Sequence, residues 1–315
     1  MLPPHIMVSE PGSFAEHTIV RRKPQIIADV IAHNDYPAEI VTALGAFARE
    51  IAEGAVEPLQ HDTPDAALCR ALTAPCRALT APCRALTAFW HRAWQPWAGK
   101  TWRQLPWFFA EAYFYRRLIE VVSYLEPGPW HHVDPFEPQK RLGLEQGLVA
   151  LASFYGAMPA RASLEERFSL WLHRSLWGNR ADLSNLLVRD KAHQGMGDGV
   201  GNPLLIDHTS RVWGLLVEGR VRRLDLVADN SGLELLSDLE LLDFLLTGQL
   251  IETAHIHLKR QPFFVSDAMI KDLETTCRAL EDASAPALRA LGQRLQGYQD
   301  AGCIVVRDHP FWTLP

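Results

Sequence analysis

The sequence predicts an α/β fold, in which an α/β/α doubly wound, Rossmann-like domain follows a mainly helical region. Up to about residue 200, apolar residues recur at helical spacing. Beyond that point, short apolar runs alternate with longer amphipathic runs, which is typical of strands and helices built around a parallel sheet. We therefore expect a helical region over residues 1–200 and an α/β/α domain over residues 201–315.

The helical region contains two long segments that are typical of core helices. The stretch DYPAEIVTALGAFAREIAEG places apolar residues between Ile40 and Ile51 on one face, and Gly54 would end that helix. The stretch LPWFFAEAYFYRRLIEVVSYL is apolar on nearly all sides, so we expect it to be buried. Its charged residues Glu111, Arg116 and Arg117 need partners in the interior, and we interpret them as members of structural ion pairs.

A tandem repeat of the unit CRALTAP lies between these two segments, over residues 69–88. A proline in each full copy excludes a continuous helix. The period is also far shorter than the roughly 20 residues of true structural repeats. The repeated cysteines could suggest a metal clip, but no helix could carry them through the prolines in register. We interpret the tract as an exposed insertion without chemistry of its own.

The elements beyond residue 200 alternate between strand and helix. Each predicted strand is short and apolar, and each is followed by an amphipathic run or a loop. In order, we predict a strand in NPLLID with a helix ending at Gly219, a strand over Leu224–Ala228 with a leucine-rich helix, a strand with Ala254, Ile256 and Leu258 on one face, a helix opening at Ser266 and Asp267, and a strand over Cys303–Val306.

Composition excludes several classes of protein. The net charge of −6 provides no basic stripe for nucleic acid. The amino terminus has no lysine or arginine before Arg21 and no apolar core of a signal peptide. The charge-free run from Gln146 to Ala160 is too short to span a bilayer. Five cysteines without zinc spacing suit a reducing compartment. We expect a soluble, cytoplasmic protein with no nucleic-acid or membrane partner.

Two acidic positions stand out at predicted strand and loop ends. Asp229 and Asn230 follow a strand and precede a helix, with Gly232 allowing the turn, and Asp267 opens a later helix. In a parallel sheet these positions share one edge, where ligands bind. Oxygen ligands suit hard cations such as magnesium or manganese. Helix capping by Asp229, Asn230 or Asp267 is the alternative interpretation, and the residue pattern alone leaves both open.

The histidines of HIHLK compete as metal ligands. His255 and His257 alternate along a strand and so share one face, as in zinc hydrolases, but we find no further ligands at matching positions. The histidines of WHHVDPF lie in a predicted loop without fixed geometry, and we assign them no role.

The sequence resembles the metal-dependent damage-control phosphatases, in the branch related to the acidic-residue (protein-glutamate) methyltransferase. The resemblance covers nearly the whole chain and rests on long, specific stretches. These are GSFAEHTIVRRKP, TWRQLPWFFAEAYFYRR, DPFEPQK, SLWGNRADLS, ADNSGLEL and HLKRQPFFVSD. It implies hydrolysis of small phosphomonoesters such as sugar phosphates, with a divalent metal (manganese, magnesium, nickel or cobalt) as cofactor.

The resemblance also implies particular site residues. Asp229, Asn230 and Asp267 would hold the metal, with Asp229 and Asp267 catalytic and Asn230 also contacting substrate. The match leaves open whether a metal-bound water or Asp229 attacks phosphorus. The further substrate-binding residues that it implies are Asn179, Asp182 and Lys259, the last through a phosphate oxygen.

Two departures from the family pattern accompany the match. His208 stands where the family usually has an aspartate. The family pattern also continues past the segment matched by DHPFWTLP, with lysine and arginine residues that are expected to grip the phosphate. We therefore expect a metal-binding domain that is incomplete at its C-terminus and slow in turnover.

Two other functions are compatible with these residues. One is an S-adenosylmethionine-dependent protein carboxyl methyltransferase, although the glycine-rich GMGDGVGNP precedes its strand and fits a flexible loop better than a nucleotide loop. The other is a non-catalytic metal-binding remnant of the phosphatase.

Overall fold

The structure is a computed structural model that describes residues 3–60, 89–157, 162–178 and 204–314. The repeat tract over residues 69–88 and the predicted boundary near residue 200 lie outside these ranges, so both remain predictions. The chain forms two compact units, described separately below. The first comprises Met1–Pro138, Pro262–Phe264 and Thr313–Pro315, and the second comprises Gln139–Gln261 and Val265–Trp312.

Helices make up the first unit. They are α1 (Phe14–His17), α2 (Lys23–His33), α3 (Ala38–Glu53) and α4 (Trp107–Val121), with a π-helical turn, Thr18–Arg22, between α1 and α2. Helix α3 buries Ile40, Leu44, Phe47 and Ile51 at helical spacing and is followed by Gly54 as its C-cap. The predicted amphipathic helix is therefore confirmed, including its end.

Helix α4 is buried continuously from Phe109 to Ile119, as its apolar sequence predicts. Two of its charges, those of Glu111 and Arg117, are paired within the first unit, because an unpaired ion in such an interior would be costly. Glu111 forms an ion pair with Lys23, and Arg117 lies 3.0 Å from the Glu50 carboxylate. The predicted structural role of Glu111 and Arg117 is confirmed by these contacts.

The second unit contains the α/β part of the chain. A parallel three-stranded sheet lies in the order β1-β2-β3. The elements in chain order are α5 (Glu137–Ala157, in this unit from Gln139), α6 (Leu164–Trp177), α7 (Thr209–Val217), β1 (Arg223–Val227), α8 (Leu233–Thr247), β2 (Thr253–Leu258), α9 (Ile270–Glu281), α10 (Pro286–Asp300) and β3 (Ile304–Asp308).

The sheet confirms the α/β class. Ala254, Ile256 and Leu258 of β2 are fully buried, whereas the residues between them are partly exposed, so the predicted inward face is correct. Leu226 pairs with Ile256, and Ile256 pairs with Val306. The described strands follow one another in a single direction across the sheet. A doubly wound sheet reverses that direction, so the doubly wound arrangement remains a prediction.

The strand predicted in NPLLID is not formed in the part that the structure describes. Residues 204–208 have no strand pairing, and Leu205 and Ile206 are 99% and 70% exposed. The short apolar run resembles a strand in composition, but within the described residues no strand lies beside it. Asp207 Oδ1 instead accepts the backbone N–H of Thr209, the first residue of α7, at 2.8 Å. The prediction for this segment is therefore wrong.

Helix α8 lies in the middle of the second unit and is buried without interruption from Leu235 to Leu246. The chain turns into α8 at its N-cap residue, Gly232. This residue has φ 79° and ψ −135°, a backbone conformation that almost only glycine adopts. A Cβ atom at this position would lie 3.2 Å from the carbonyl carbon of Gly143. Both backbone geometry and space therefore require glycine at the start of α8.

We expect Gly232→Ala to lower the free energy of unfolding by about 2 kcal/mol or more, because the substitution strains the backbone and crowds Gly143. Urea denaturation followed by circular dichroism measures the change. Gly219→Ala is the matched control, since Gly219 also has a positive φ of 67° but a Cβ atom there meets nothing within 4 Å. Equal losses in both variants would show that the contact with Gly143 is unimportant.

Candidate functional site

The carboxyl edge of the parallel sheet is extended by Asp229 after β1 and by Lys259 after β2. Residues 266–268 are hydrogen-bonded across this edge. The N–H of Ala268 donates to the Asp229 carbonyl at 2.7 Å, and the N–H of Lys259 donates to the Ala268 carbonyl at 2.9 Å. Ligand sites of parallel sheets lie at this edge. Backbone pairing therefore brings residues that are far apart in sequence to the expected position.

Four of the predicted site residues lie together here. Asn230 and Asp267 form an antiparallel β-bridge and are 7% and 2% exposed, whereas Asp229 is exposed. The ammonium nitrogen of Lys259 lies 3.3 Å from Oδ2 of Asp267. The predicted convergence of these side chains is therefore found. Their roles as ligands and catalysts remain predictions.

The amide of Asn230 is fixed by three hydrogen bonds. Its Nδ2 donates to Glu234 Oε2 at 2.7 Å and to Asp229 Oδ2 at 3.2 Å. Its Oδ1 accepts the hydroxyl of Ser266 at 2.6 Å. An amide oxygen has two lone pairs, so Oδ1 can still bind a cation while it accepts from Ser266. The network thus holds the amide oxygen in one orientation.

The capping alternative is wrong for all three candidate ligands. The N-cap of α8 is Gly232, which has no side chain with which to cap that helix. Helix α9 begins at Ile270, after Met269 as N-cap, rather than at Ser266 and Asp267. The reason is the pairing of residues 266–268 with the extension of β1, which keeps this segment extended until the helix begins. Asp229, Asn230 and Asp267 therefore line the sheet edge instead of ending a helix.

The site carries closely spaced negative charge. Burial raises the pKa of Asp267 to about 7, with a further rise from Asp229, while Lys259 and Lys140 oppose it. Burial likewise raises the pKa of Asp238, on α8, to about 7, and Asp229 adds to that rise. A divalent cation beside Asp229 and Asp267 would offset this repulsion. The donors are oxygen atoms, which is the ligand set that magnesium and manganese prefer, so the residues present fit such a cation.

Lys140 fixes the segment that carries Asp267. Its buried ammonium group donates to the Asp267 carbonyl and to Asp272 Oδ2, both at 2.8 Å. Asp272 in turn accepts the backbone N–H of Met269 at 2.9 Å, which holds the start of α9. Reasoning from the sequence missed the roles of Lys140, Glu234 and Ser266. All three residues lie within stretches that carry the family resemblance. The resemblance was therefore the signal that could have pointed to them.

Two predicted substrate residues, Asn179 and Asp182, lie outside the described residues. The described chain reaches Gly178, at the end of α6. A Cβ atom on Gly178 would lie 2.7 Å from the Cα atom of Glu234, so this end of α6 packs directly on the start of α8. Glu234 is also the partner of Asn230.

His255 and His257 share one face of β2, as predicted, and both lie beside Asp225. His257 Nε2 lies 2.9 Å from Asp225 Oδ1, and His255 Nδ1 lies 3.8 Å from the same oxygen. The side chain of Arg223 already holds both carboxylate oxygens of Asp225, at 2.7 and 3.1 Å. The positive charge of this guanidinium repels a second cation at the same carboxylate. The carboxylate and amide cluster at the sheet edge is therefore the better candidate metal site.

The structure is thus an α/β protein with a carboxylate and amide cluster, a candidate ligand site, at the carboxyl edge of its parallel sheet. The model of the Damage-control phosphatase ARMT1-like domain matches residues 18–315. The chain therefore belongs to the ARMT1-like damage-control phosphatase family, as the resemblance predicts.

Two individual relatives that match the chain are both named Damage-control phosphatase ARMT1. The chain is 32% identical to Damage-control phosphatase ARMT1 of Danio rerio over 68% of its own length and 52% of that protein, so the match spans about half of the relative. It is 30% identical to the protein of that name in Mus musculus, over 99% of this chain and 76% of the relative. In the parts of the chain that the structure describes, no helix has both the length and the apolar character needed to cross a bilayer.

Proposed function

We propose that the protein is a divalent-metal-dependent phosphatase of small phosphorylated metabolites, in particular sugar phosphates. The observation that carries the proposal is the convergence of Asp229, Asn230 and Asp267 with Lys259 at one sheet edge. Two carboxylates with a fixed amide oxygen suit a hard cation, and an adjacent ammonium group suits a phosphate. The phosphatase name of the family members supports the same reaction class.

Asp229, Asp267 and Oδ1 of Asn230 would hold the metal, with manganese, magnesium, nickel or cobalt as candidates. When bound, the metal supplies Lewis-acid polarisation of a phosphoryl oxygen. The protein's own contribution is positioning and charge. Asn230 is fixed by Glu234 and Ser266, so little reorganisation is needed when substrate enters.

Lys259 would bind a phosphate oxygen. In the present arrangement its ammonium group lies 3.3 Å from the Asp267 carboxylate, and a metal on that carboxylate would release the ammonium for the phosphate. Asp229 is exposed at the edge and could either attack phosphorus or orient a water molecule that does. We also propose Asn179 and Asp182 as substrate contacts, because they directly follow the end of α6 that packs on Glu234.

The proposed setting is the cytoplasm, with a small phosphorylated metabolite as partner and neither nucleic acid nor membrane. The net charge of −6 and the five cysteines without zinc spacing support this part of the proposal.

Phosphate release from a panel of sugar phosphates tests the proposal. Protein stripped with a chelator should be inactive, and added manganese or magnesium should restore turnover. The same preparation is assayed for methyl transfer from S-adenosylmethionine to protein carboxyl groups. Methyl transfer without phosphate release would contradict the proposal in favour of the methyltransferase. Metal binding without either reaction would favour a non-catalytic remnant.

A further inference from the structure

Two consecutive residues just before Asp267 have a left-handed backbone conformation. Phe264 has a φ of 45° and Val265 has a φ of 72°. Few residues other than glycine adopt a positive φ, and for a β-branched residue such as valine this conformation is a genuine outlier. Strain of this kind persists only where the surrounding structure enforces it, and it concentrates at functional sites. The contacts on both sides of Val265 show how the strain is held.

Aromatic packing holds the chain before Val265. The ring centre of Phe264 lies 5.1 Å from that of Tyr115 and 4.5 Å from that of Phe263. The rings of Phe263 and Tyr115 are themselves 5.4 Å apart, and these two residues are only 3% and 1% exposed. All three residues belong to the first unit. The ring of Phe264 therefore has a fixed position on a rigid aromatic cluster.

Hydrogen bonds hold the chain after Val265, within the second unit. The carbonyl oxygen of Ser266 accepts the backbone N–H of Ser231 at 2.7 Å. The hydroxyl group of Ser266 donates to Oδ1 of Asn230 at 2.6 Å. The next residue, Asp267, forms the β-bridge with Asn230. A rotation of the backbone at Val265 would move Ser266 and break the bonds that orient the amide oxygen of Asn230.

We propose that Val265 is a positioning residue for the candidate metal site. The packing of Phe264 against Tyr115 holds Val265 in its strained conformation. That conformation in turn places Ser266 against Asn230, so Val265 acts through Ser266 and does not itself contact the cation. Loss of the packing would let Val265 relax to a negative φ and carry Ser266 away. The inference rests on the proposed function, since the site that it positions is the candidate metal site.

The affinity for manganese, measured by calorimetry on chelator-stripped protein, tests the proposal. Phe264→Ala removes the packed ring and should lower the affinity by about ten-fold, because Val265 is then free to relax. Val265→Gly alone should change the affinity by less than about three-fold, since glycine adopts a positive φ without strain. Adding Val265→Gly to Phe264→Ala should restore the affinity to within about three-fold of the unaltered protein, because no strain then displaces Ser266.

Hydrogen exchange of the Ser231 amide in metal-free protein provides a second measurement that does not depend on the cation. This amide donates to Ser266, so its exchange should be about ten-fold faster in Phe264→Ala and should return to its original rate in the double variant. Gln249→Gly is the matched control, because Gln249 also has a positive φ, of 54°, but lies after α8. It should change neither the affinity nor the exchange rate of Ser231.

The two measurements allow the positioning role and the proposed function to fail separately. A double variant as impaired as Phe264→Ala would overturn the positioning role, because a loss of packing alone predicts that result. Unchanged affinity and exchange in Phe264→Ala would overturn it as well. The expected exchange pattern without manganese binding in any of these proteins would support the positioning role and contradict the proposed function. If Phe264→Ala does not fold, Phe264→Leu, which keeps apolar bulk, replaces it in the same comparison.

Discussion

Replacing Asp267 by asparagine should lower phosphate release by about 10² to 10³-fold, the usual cost of removing one preorganised electrostatic group from an active site. The change keeps the size of the side chain and removes the negative charge that the cation and Lys259 both face. Phosphate release from a hexose phosphate, at saturating manganese, measures the effect.

The same substitution should not unfold the protein. Burial already raises the pKa of Asp267 to about 7, so ionising this carboxyl group opposes folding when no metal is bound. A neutral amide avoids that cost, and the metal-free variant should unfold within about 1 kcal/mol of the unaltered protein. Asp282→Asn, at an exposed residue after α9, serves as the control and should keep full activity. Full activity of Asp267→Asn would remove this residue from the site.

Replacing Glu111 by leucine should destabilise the protein by about 3 to 5 kcal/mol, because it leaves Lys23 as a buried charge without its carboxylate. Lys23 is 1% exposed and lies 4.4 Å from the centre of the Tyr115 ring. Burial lowers the pKa of Lys23 to about 8, and Glu111 opposes that shift. Thermal and urea unfolding measure the loss of stability.

A second variant distinguishes the loss of the ion pair between Lys23 and Glu111 from a loss of side-chain packing. Lys23→Met combined with Glu111→Leu should recover much of the stability, since apolar pairs of similar volume often replace buried ion pairs without loss. Glu53→Leu, at an exposed residue in the last turn of α3, should change stability by less than about 0.5 kcal/mol. A double variant as unstable as Glu111→Leu alone would show that the charges themselves support the fold.

Much of the fold follows from periodicity along the chain. Helix α3 and the alternating strand β2 were predictable because burial follows the 3.6-residue and two-residue repeats of their apolar residues. Helix α4 was predictable because its sequence is apolar on nearly all sides. The segment NPLLID has the same apolar character but no strand partner in the described structure, and composition cannot indicate whether a partner exists.

The site was predictable in position but not in detail. Asp229 and Asp267 follow apolar runs, and that pattern placed them at one edge of a parallel sheet. The pairing of residues 266–268 with the extension of β1 depends on long-range backbone hydrogen bonds, so the start of α9 was predicted too early. The contact of Lys140 with the Asp267 carbonyl joins residues that are 127 positions apart. No local pattern in the sequence encodes such a contact.

The central claim is that Asp229, Asn230 and Asp267 together bind one divalent cation. Calorimetric titration of manganese into chelator-stripped protein tests it most directly, with the unaltered protein and the variants Asp229→Asn and Asp267→Asn measured side by side. We predict one ion per chain for the unaltered protein and an affinity at least about ten-fold lower for each variant, since each loses a charged ligand. Unchanged affinity in both variants would contradict the account and move the cation away from this edge of the sheet.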